Sequence, residues 1–179
     1  ALVINDEMIR DTTIPRPQLF YGATKVFGEH MGLFYRRKYK LDFRGLRYPS
    51  VIGPGVRAPG VVQYTSWVIE ECAKGKPFTI WAKPETRVPV MYIKDAARAT
   101  VQLATAPAEQ IKTVTYLVDG KKPTPSAQEL VDSVRTKLSE AQITFRPDLE
   151  IQRIIDSVLP LDDRNARQEW GWEPTYTLE

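Results

Sequence analysis

From position 21 to about position 40, Val26, Phe27, His30, Met31, Phe34 and Tyr35 recur at helical spacing, and this long period constrains the fold more than any other feature. A helix of that length with an apolar stripe has to lay the stripe against something. Residues 41–48 carry the apolar and aromatic side chains of a strand, which Pro49 and then Gly53-Pro54-Gly55 end in a loop. The alternation then repeats. Residues 61–74 read as a helix stopped by Gly75 and Pro77, 78–81 as a short strand, and 88–93 as extended despite Pro89. Asp95 is placed to cap a helix through about position 105, and 113–118 is a β-rich run. The next helix, ending at 138, opens either at Thr124-Pro125 or at a capping box of Ser126 with Glu129. A strand at 143–146, a helix at 149–159 and a short capped helix at 163–170 complete the order, after an irregular stretch at 1–20. Strands alternating with helices specify an α/β architecture with parallel strands.

Composition narrows the function classes. The chain is 42% hydrophobic and 26% charged over 179 residues, and no apolar run approaches the roughly 20 residues of a membrane span. Neither a membrane nor nucleic acid is an expected partner. The net charge of +3 is spread along the chain, and the small cluster of Arg36, Arg37, Lys38 and Lys40 suits a helix C-terminus and its dipole. Cys72 is the only cysteine and His30 the only histidine, so the sequence offers no intrachain disulfide and no metal cluster, and a reducing, cytoplasmic setting is expected.

At the head of the long helix, Tyr21-Gly22-Ala23-Thr24-Lys25 places a phenol and an ammonium one turn apart, where i and i+4 side chains are neighbours. A close cation favours the deprotonated phenol, the form that accepts a proton, so the pair is a candidate acid/base site. With 8 tyrosines among 179 residues, about half of one Tyr-x-x-x-Lys pair is expected by chance, so the pair needs its context.

That context is a set of four segments in order. Arg16-Pro17-Gln18-Leu19-Phe20-Tyr21-Gly22-Ala23-Thr24-Lys25 is followed by Leu46-Arg47-Tyr48-Pro49-Ser50-Val51-Ile52-Gly53-Pro54-Gly55. Then come Arg87-Val88-Pro89-Val90-Met91-Tyr92-Ile93-Lys94-Asp95-Ala96 and, at the C-terminal end, Asp163-x-x-Ala166-Arg167 with Trp170-Gly171-Trp172-Glu173-Pro174. Together they resemble the extended short-chain dehydrogenase/reductase family, which holds nucleotide-sugar epimerases, dehydratases and the short-chain type of L-threonine dehydrogenase.

The resemblance implies a Rossmann-like fold: the C-terminal half of a doubly wound parallel sheet with a small substrate-binding lobe, divided as 1–60 and 61–179. It implies NAD as cofactor and Tyr21 with Lys25 as the catalytic pair, both also facing the cofactor beside Tyr48, Pro49, Ser50, Val51 and Ile52. It places Ser50, Gly60, Gln63, Tyr64 and Arg87 at a small-molecule substrate. The motifs around Arg16-Pro17 and Asn165-Ala166-Arg167 are most similar to the L-threonine dehydrogenase branch. Val61 and Val62, however, stand where that branch has polar groups, and Val51–Gly55 with Arg87 is more similar to the nucleotide-sugar branch. A guanidinium fork there suits a diphosphate, or else ties down a loop. No glycine precedes Gly22, so the glycine-rich pyrophosphate turn of a complete member is absent from the sequence, as is the family's catalytic Ser/Thr ahead of the tyrosine. The expectation is therefore an oxidoreductase when complete, inactive as this chain alone, with a complementary N-terminal fragment or a homodimer partner covering its exposed edges; a nucleotide-sugar epimerase and a non-catalytic assembly module are the alternatives.

Overall fold

Helix α1 (Phe20–Tyr39) enters from the extended Leu19, without a side-chain cap, and ends where Lys40 turns left-handed at φ 57°. A computed structural model of the chain describes residues 8–17, 19–120 and 122–178. Residues 1–7 of the expected irregular stretch lie outside the described residues, as do Gln18, Lys121 and Glu179. The last turn of α1 carries Arg36, Arg37 and Lys38, where cations complement the helix dipole.

Its orientation overturns one expectation. The half-buried side is Gly22, Val26, Glu29, Leu33 and Arg36, with Gly32 the buried residue. A Cβ at Gly32 would drive into the Phe43 ring, so the helix can approach the following segment closely only because this position is glycine. Apart from Val26, the apolar stripe read from the sequence points outward instead: Phe27 is 67% exposed and Phe34 43% exposed.

β1 (Gly45–Arg47) is much shorter than the run at 41–48. β2 (Ser50–Ile52) falls in the segment expected to be a loop: Pro49 does not prevent it, because Ser50 N–H donates to Pro89 O at 3.0 Å and the β-branched Val51 and Ile52 favour an extended backbone. α2 (Tyr64–Ala73) starts three residues later than expected, after a turn closed by Gln63 N–H on Gly60 O. β3 (Phe78–Ile80), β4 (Val90–Tyr92) and α3 (Ile93–Thr105) follow, then an unanticipated short 3-10 turn at Ala108–Gln110. β5 (Thr115–Leu117), α4 (Ala127–Lys137), β6 (Ile143–Phe145), α5 (Leu149–Ile155) and α6 (Arg164–Trp170) complete the chain.

Of the two openings offered for α4, the fold uses the capping box: Ser126 Oγ accepts from Glu129 N–H at 3.1 Å and the Glu129 carboxylate accepts from Ser126 N–H at 2.7 Å. Among the described residues the strand pairs are parallel, β1 with β5, β2 with β4 and β3 with β6. Parallel pairs need covered faces. One core, with Val68, Ile80, Val131, Ile143 and Ile155, joins α2, α4 and α5 to the β3–β6 pair. A second, with Met91, Ala99, Tyr116, Val118, Ala166 and Trp172, joins α3 and α6 to the β1–β5 and β2–β4 pairs. A third, small one seats Ile9 against Leu117 and Leu161, and Asp11 accepts from Leu117 N–H at 2.5 Å. No helix among the described residues is long and apolar enough to cross a membrane.

Two aspartates expected to cap helices do other work. Asp163 is the N-cap residue of α6, but its carboxylate takes both Arg167 nitrogens at 3.0 Å instead of a backbone N–H. Asp95 lies inside the first turn of α3 at 1% exposure, accepting from Arg98 at 2.7 Å and from Thr175 and Tyr176 N–H at 2.9 and 3.0 Å. It therefore holds the C-terminal segment onto α3. Asp95→Ala leaves three donors without their acceptor and is expected to cost about 3 kcal/mol in a urea titration. It should also make residues 174–178 susceptible to carboxypeptidase. An unchanged midpoint with a protected tail would refute this role.

Candidate active site

α1 runs antiparallel to β1, and two contacts measure the alignment. At the start of the strand, Arg36 Nη1 donates to Phe43 O at 3.3 Å; at its end, the Arg47 guanidinium grips both Glu29 carboxylate oxygens at 2.7 and 2.5 Å. The Glu29 carboxylate beside Arg47 raises that arginine's affinity for its proton further. The part of α1 ahead of Glu29 therefore projects past the carboxyl end of β1, and Tyr21 lies about 12 Å along the helix axis from Glu29 at 1.5 Å per residue. The carboxyl ends of parallel strands are where α/β folds place their ligands.

The structure brings Tyr21 and Lys25 together there. Lys25 Nζ stands 4.9 Å from the centroid of the Tyr21 ring, over its face, and the ring is 70% exposed. Phenol and ammonium share one open side of the helix.

β1 leads through Tyr48 and Pro49 directly into β2. The Tyr48 hydroxyl is tied to α3, sharing a hydrogen bond with Thr100 Oγ1 at 2.6 Å and donating to Ala96 O at 3.2 Å. Ser50 Oγ meets Thr65 Oγ1 at 2.8 Å, and Ser66 Oγ donates to Gly53 O at 2.9 Å while accepting Gly53 N–H at 3.2 Å. The first turn of α2 thus clamps β2 in place. Val51 packs against the second core, and Ile52 faces a cleft.

Of the residues placed at a substrate by resemblance, Ser50, Gly60, Gln63 and Tyr64 gather at the start of α2, and Arg87 pairs with α4. Gly60 and Gln63 close the turn before α2, with the Gln63 amide nitrogen enclosed and without a partner among the described residues. Tyr64 is 1% exposed, edge-on to Trp81 at 5.8 Å, and burial pushes its phenol up to about 12. The Arg87 guanidinium is taken by Glu129 and by Thr124 O.

A cleft of about 600 Å³ opens beside β2, lined by Ile52, Gly53, Ser66, Glu70, Tyr92 and Tyr176 among others, and not by Tyr21 or Lys25. Glu70 on its wall is gripped by Arg57 and then Lys74, which hold its carboxyl down at about 2. The Tyr92 and Tyr176 rings meet edge-on at 4.9 Å across its mouth. Of these, the sequence pointed only to Ile52, as a cofactor-facing residue; for Tyr176 the signal available was the Asp95 motif, whose partner is the tail carrying it.

Comparison with known proteins supplies the family. Residues 3–118 match the family described as the NAD dependent epimerase/dehydratase family. The chain belongs to that family. L-threonine 3-dehydrogenase, mitochondrial, of Bos taurus is 39% identical over 170 residues, covering 94% of this chain and 45% of the relative. The crystal structure of L-threonine dehydrogenase from Phytophthora infestans superposes with a TM-score of 0.84 at 32% identity, over 94% of this chain and 55% of that one. A UDP-glucuronic acid 4-epimerase from Bacillus cereus shares the fold, with a TM-score of 0.77 at 22% identity over 96% of this chain and 52% of that one. The chain spans about half the length of the curated relatives it matches. The α/β, Rossmann-like fold and the NAD dependence of the family are those inferred from the motifs. A phenol and an ammonium on one open side of a helix are groups that suit ribose hydroxyls, whereas residues 1–21 contain no glycine with which to cradle a pyrophosphate.

One titratable group at this end of the strands was not anticipated. Asp119 follows β5 at 2% exposure; Oδ1 accepts Gly120 N–H at 2.8 Å, whereas Oδ2 has no hydrogen-bond partner among the described residues and the Lys122 ammonium stays 3.8 Å away. Burial pushes its carboxyl up to about 6, with Asp163 adding to the rise and Gly120 N–H, Lys122 and Arg167 opposing it. The folded chain therefore holds this proton more tightly than the unfolded chain, and folding stability falls as pH rises from about 4 to about 6, by about 3 kcal/mol in all. Asp119→Asn removes that term. The variant's stability relative to the parent should rise across this window and level off above it in urea titrations at successive pH values; a difference flat from pH 4 to 7 would overturn the assignment.

Proposed function

We propose that this chain is the part of an NAD-dependent oxidoreductase that carries the proton-transferring pair, acting in the complete protein on a hydroxyl of a small substrate such as L-threonine. The observation that carries this is the ammonium of Lys25 lying against the Tyr21 ring at the open carboxyl end of β1. Supporting it is the 39% identity to a protein named as an L-threonine 3-dehydrogenase. Residues 1–60 then contribute to the cofactor side and 61–179 mainly to the substrate side, with Ser50, Gly60, Gln63 and Tyr64 shaping the latter.

In this reading the Tyr21 oxygen, as phenolate, takes the proton of the substrate hydroxyl while the oxygen's electron pair closes to a carbonyl. NAD, when bound, supplies the acceptor for the hydride that leaves the same carbon. Lys25 stabilises the phenolate and holds the ribose hydroxyls, and Tyr48 to Ile52 form the surface beside the nicotinamide. Cys72, buried and free, suits a reducing compartment such as the cytoplasm. The outward stripe of α1, with Phe20, Phe27 and Phe34, is covered in the complete protein by the remaining polypeptide or a second copy.

An epimerase acting on a nucleotide sugar is the second reading, favoured by Val51-Ile52-Gly53-Pro54-Gly55; it would use the same pair without net NADH release. In the complete protein, Tyr21→Phe is expected to lower kcat about 10³-fold with NAD affinity unchanged, read by NADH formation and by calorimetry. Turnover at the parent rate would remove Tyr21 from the mechanism. Titrating NAD into the 179-residue chain alone should show no saturation below about 1 mM, a weak affinity worth about 4 kcal/mol. Sub-millimolar binding would show that these residues hold the pyrophosphate after all.

A further inference from the structure

Lys25 stands between two side chains of its own helix, each one turn away: Tyr21 four residues before it and Glu29 four residues after. Either can receive its ammonium. A carboxylate at that spacing and an exposed aromatic face attract a lysine with comparable strength. The ammonium lies over the Tyr21 ring, 4.9 Å from its centroid, because Glu29 is already taken. At the end of β1, Arg47 Nε donates to Glu29 Oε1 at 2.7 Å and Nη2 to Oε2 at 2.5 Å. A two-pronged guanidinium outcompetes a single ammonium for the same carboxylate. The Arg47 and Glu29 side chains are only 24% and 21% exposed, so Glu29 deprived of Arg47 would be a largely desolvated anion that draws another cation. Among its helix neighbours at positions 25, 26, 32 and 33, Lys25 is the cation, beside Val26, Gly32 and Leu33. The charge of Asp11, whose carboxylate accepts Leu117 N–H, also attracts Arg47.

We propose that Arg47 is a positioning residue for the reaction: by occupying Glu29 it keeps that carboxylate from drawing Lys25 away, and so leaves the ammonium on Tyr21. This rests on the reading of Tyr21 and Lys25 as the proton-transferring pair. One salt bridge can serve in two ways, and they differ in what they require. An anchor between α1 and β1 needs both partners, so losing one or both is equally damaging. A guard over Lys25 is needed only while Glu29 carries its charge.

The first test uses NMR on the 179-residue chain, where the ring current of Tyr21 is expected to shift the ε-methylene protons of Lys25 upfield. Arg47→Gln should lose most of that shift. Adding Glu29→Gln should restore it, although the salt bridge is then missing altogether. Arg47→Lys, which leaves Glu29 a cation without the two-pronged grip, should lose less, and serves with the same Glu29→Gln reversal if Arg47→Gln melts early by circular dichroism. An unchanged Lys25 shift in both Arg47 variants overturns the proposal, as does a loss that Glu29→Gln fails to reverse. In the complete protein, kcat should fall about fivefold in Arg47→Gln and recover in the double variant. A kcat equally low in both would leave the bridge as an anchor and nothing more, which also overturns the proposal. Failure of the oxidoreductase reading would appear separately, as a Tyr21→Phe enzyme at the parent rate, and would not alter the NMR result.

Discussion

Parallel pairing of β1 with β5, in register from Gly45 opposite Thr115 to Arg47 opposite Leu117, is the constraint on which the rest of the structure depends. Parallel strands cannot be joined by a tight turn, so the intervening chain has to leave at one end and return at the other. It uses that passage to build α2, β3 and the β2–β4 pair before α3 brings it back. Both strands then end on the same side, where β1 runs into Tyr48 and β5 into Asp119. The salt bridge from Arg47 to Glu29 fixes α1 across this end, and the helix direction does the rest by carrying Tyr21 beyond the strand.

The same frame explains why a chain with a net charge of +3 shows so few unopposed cations at its folded centre. Arg47 is matched by Glu29, Arg87 by Glu129, Arg98 by Asp95 and Arg167 by Asp163. Two of these pairs, Arg47–Glu29 and Arg87–Glu129, fasten one element to another, so removing one partner costs structure as well as charge. Arg98 also stacks over Trp172 at 5.1 Å while holding Glu173 O, so the tail is fastened by charge, aromatic face and backbone together. Lys25 is different in kind: its ammonium lies over the ring of Tyr21.

Local patterns were legible and long-range ones were not. The spacing of Tyr21 and Lys25 is a helix property and came through, as did the Ser126–Glu129 box, because both ends of each lie within one turn. Which face of α1 turns inward depends on Phe43 and Arg47, and a helical period reports only that two faces differ; here the smaller residues, Gly22, Val26 and Gly32, face the strand. β2 was hidden by Pro49, whose missing N–H matters only at its own position, since the ladder to β4 begins with Ser50. Asp95 was read as a cap because capping is what an aspartate near a helix start does locally. Its true partners, Thr175 and Tyr176, lie far along the chain. Arg87 was legible as a fork but not as a filled one, since Glu129 sits 42 positions away.

The exposure of Tyr21 links the chemistry to the outward face of α1. A cation raises the acidity of a neighbouring phenol strongly only where water is scarce, because bulk dielectric reduces the interaction at 4–5 Å to about 1 kcal/mol. Tyr21 is 70% exposed. Phe20, adjacent to Tyr21, is 85% exposed, and Phe27 follows on the same helix at 67%. A surface that buries those rings lies within a turn of the phenol and strips water from it at the same time. On the proposed function, apolar burial on α1 and proton transfer at its head are one physical problem, because a contact that hides the aromatic stripe also lowers the dielectric in which two neighbouring polar groups interact.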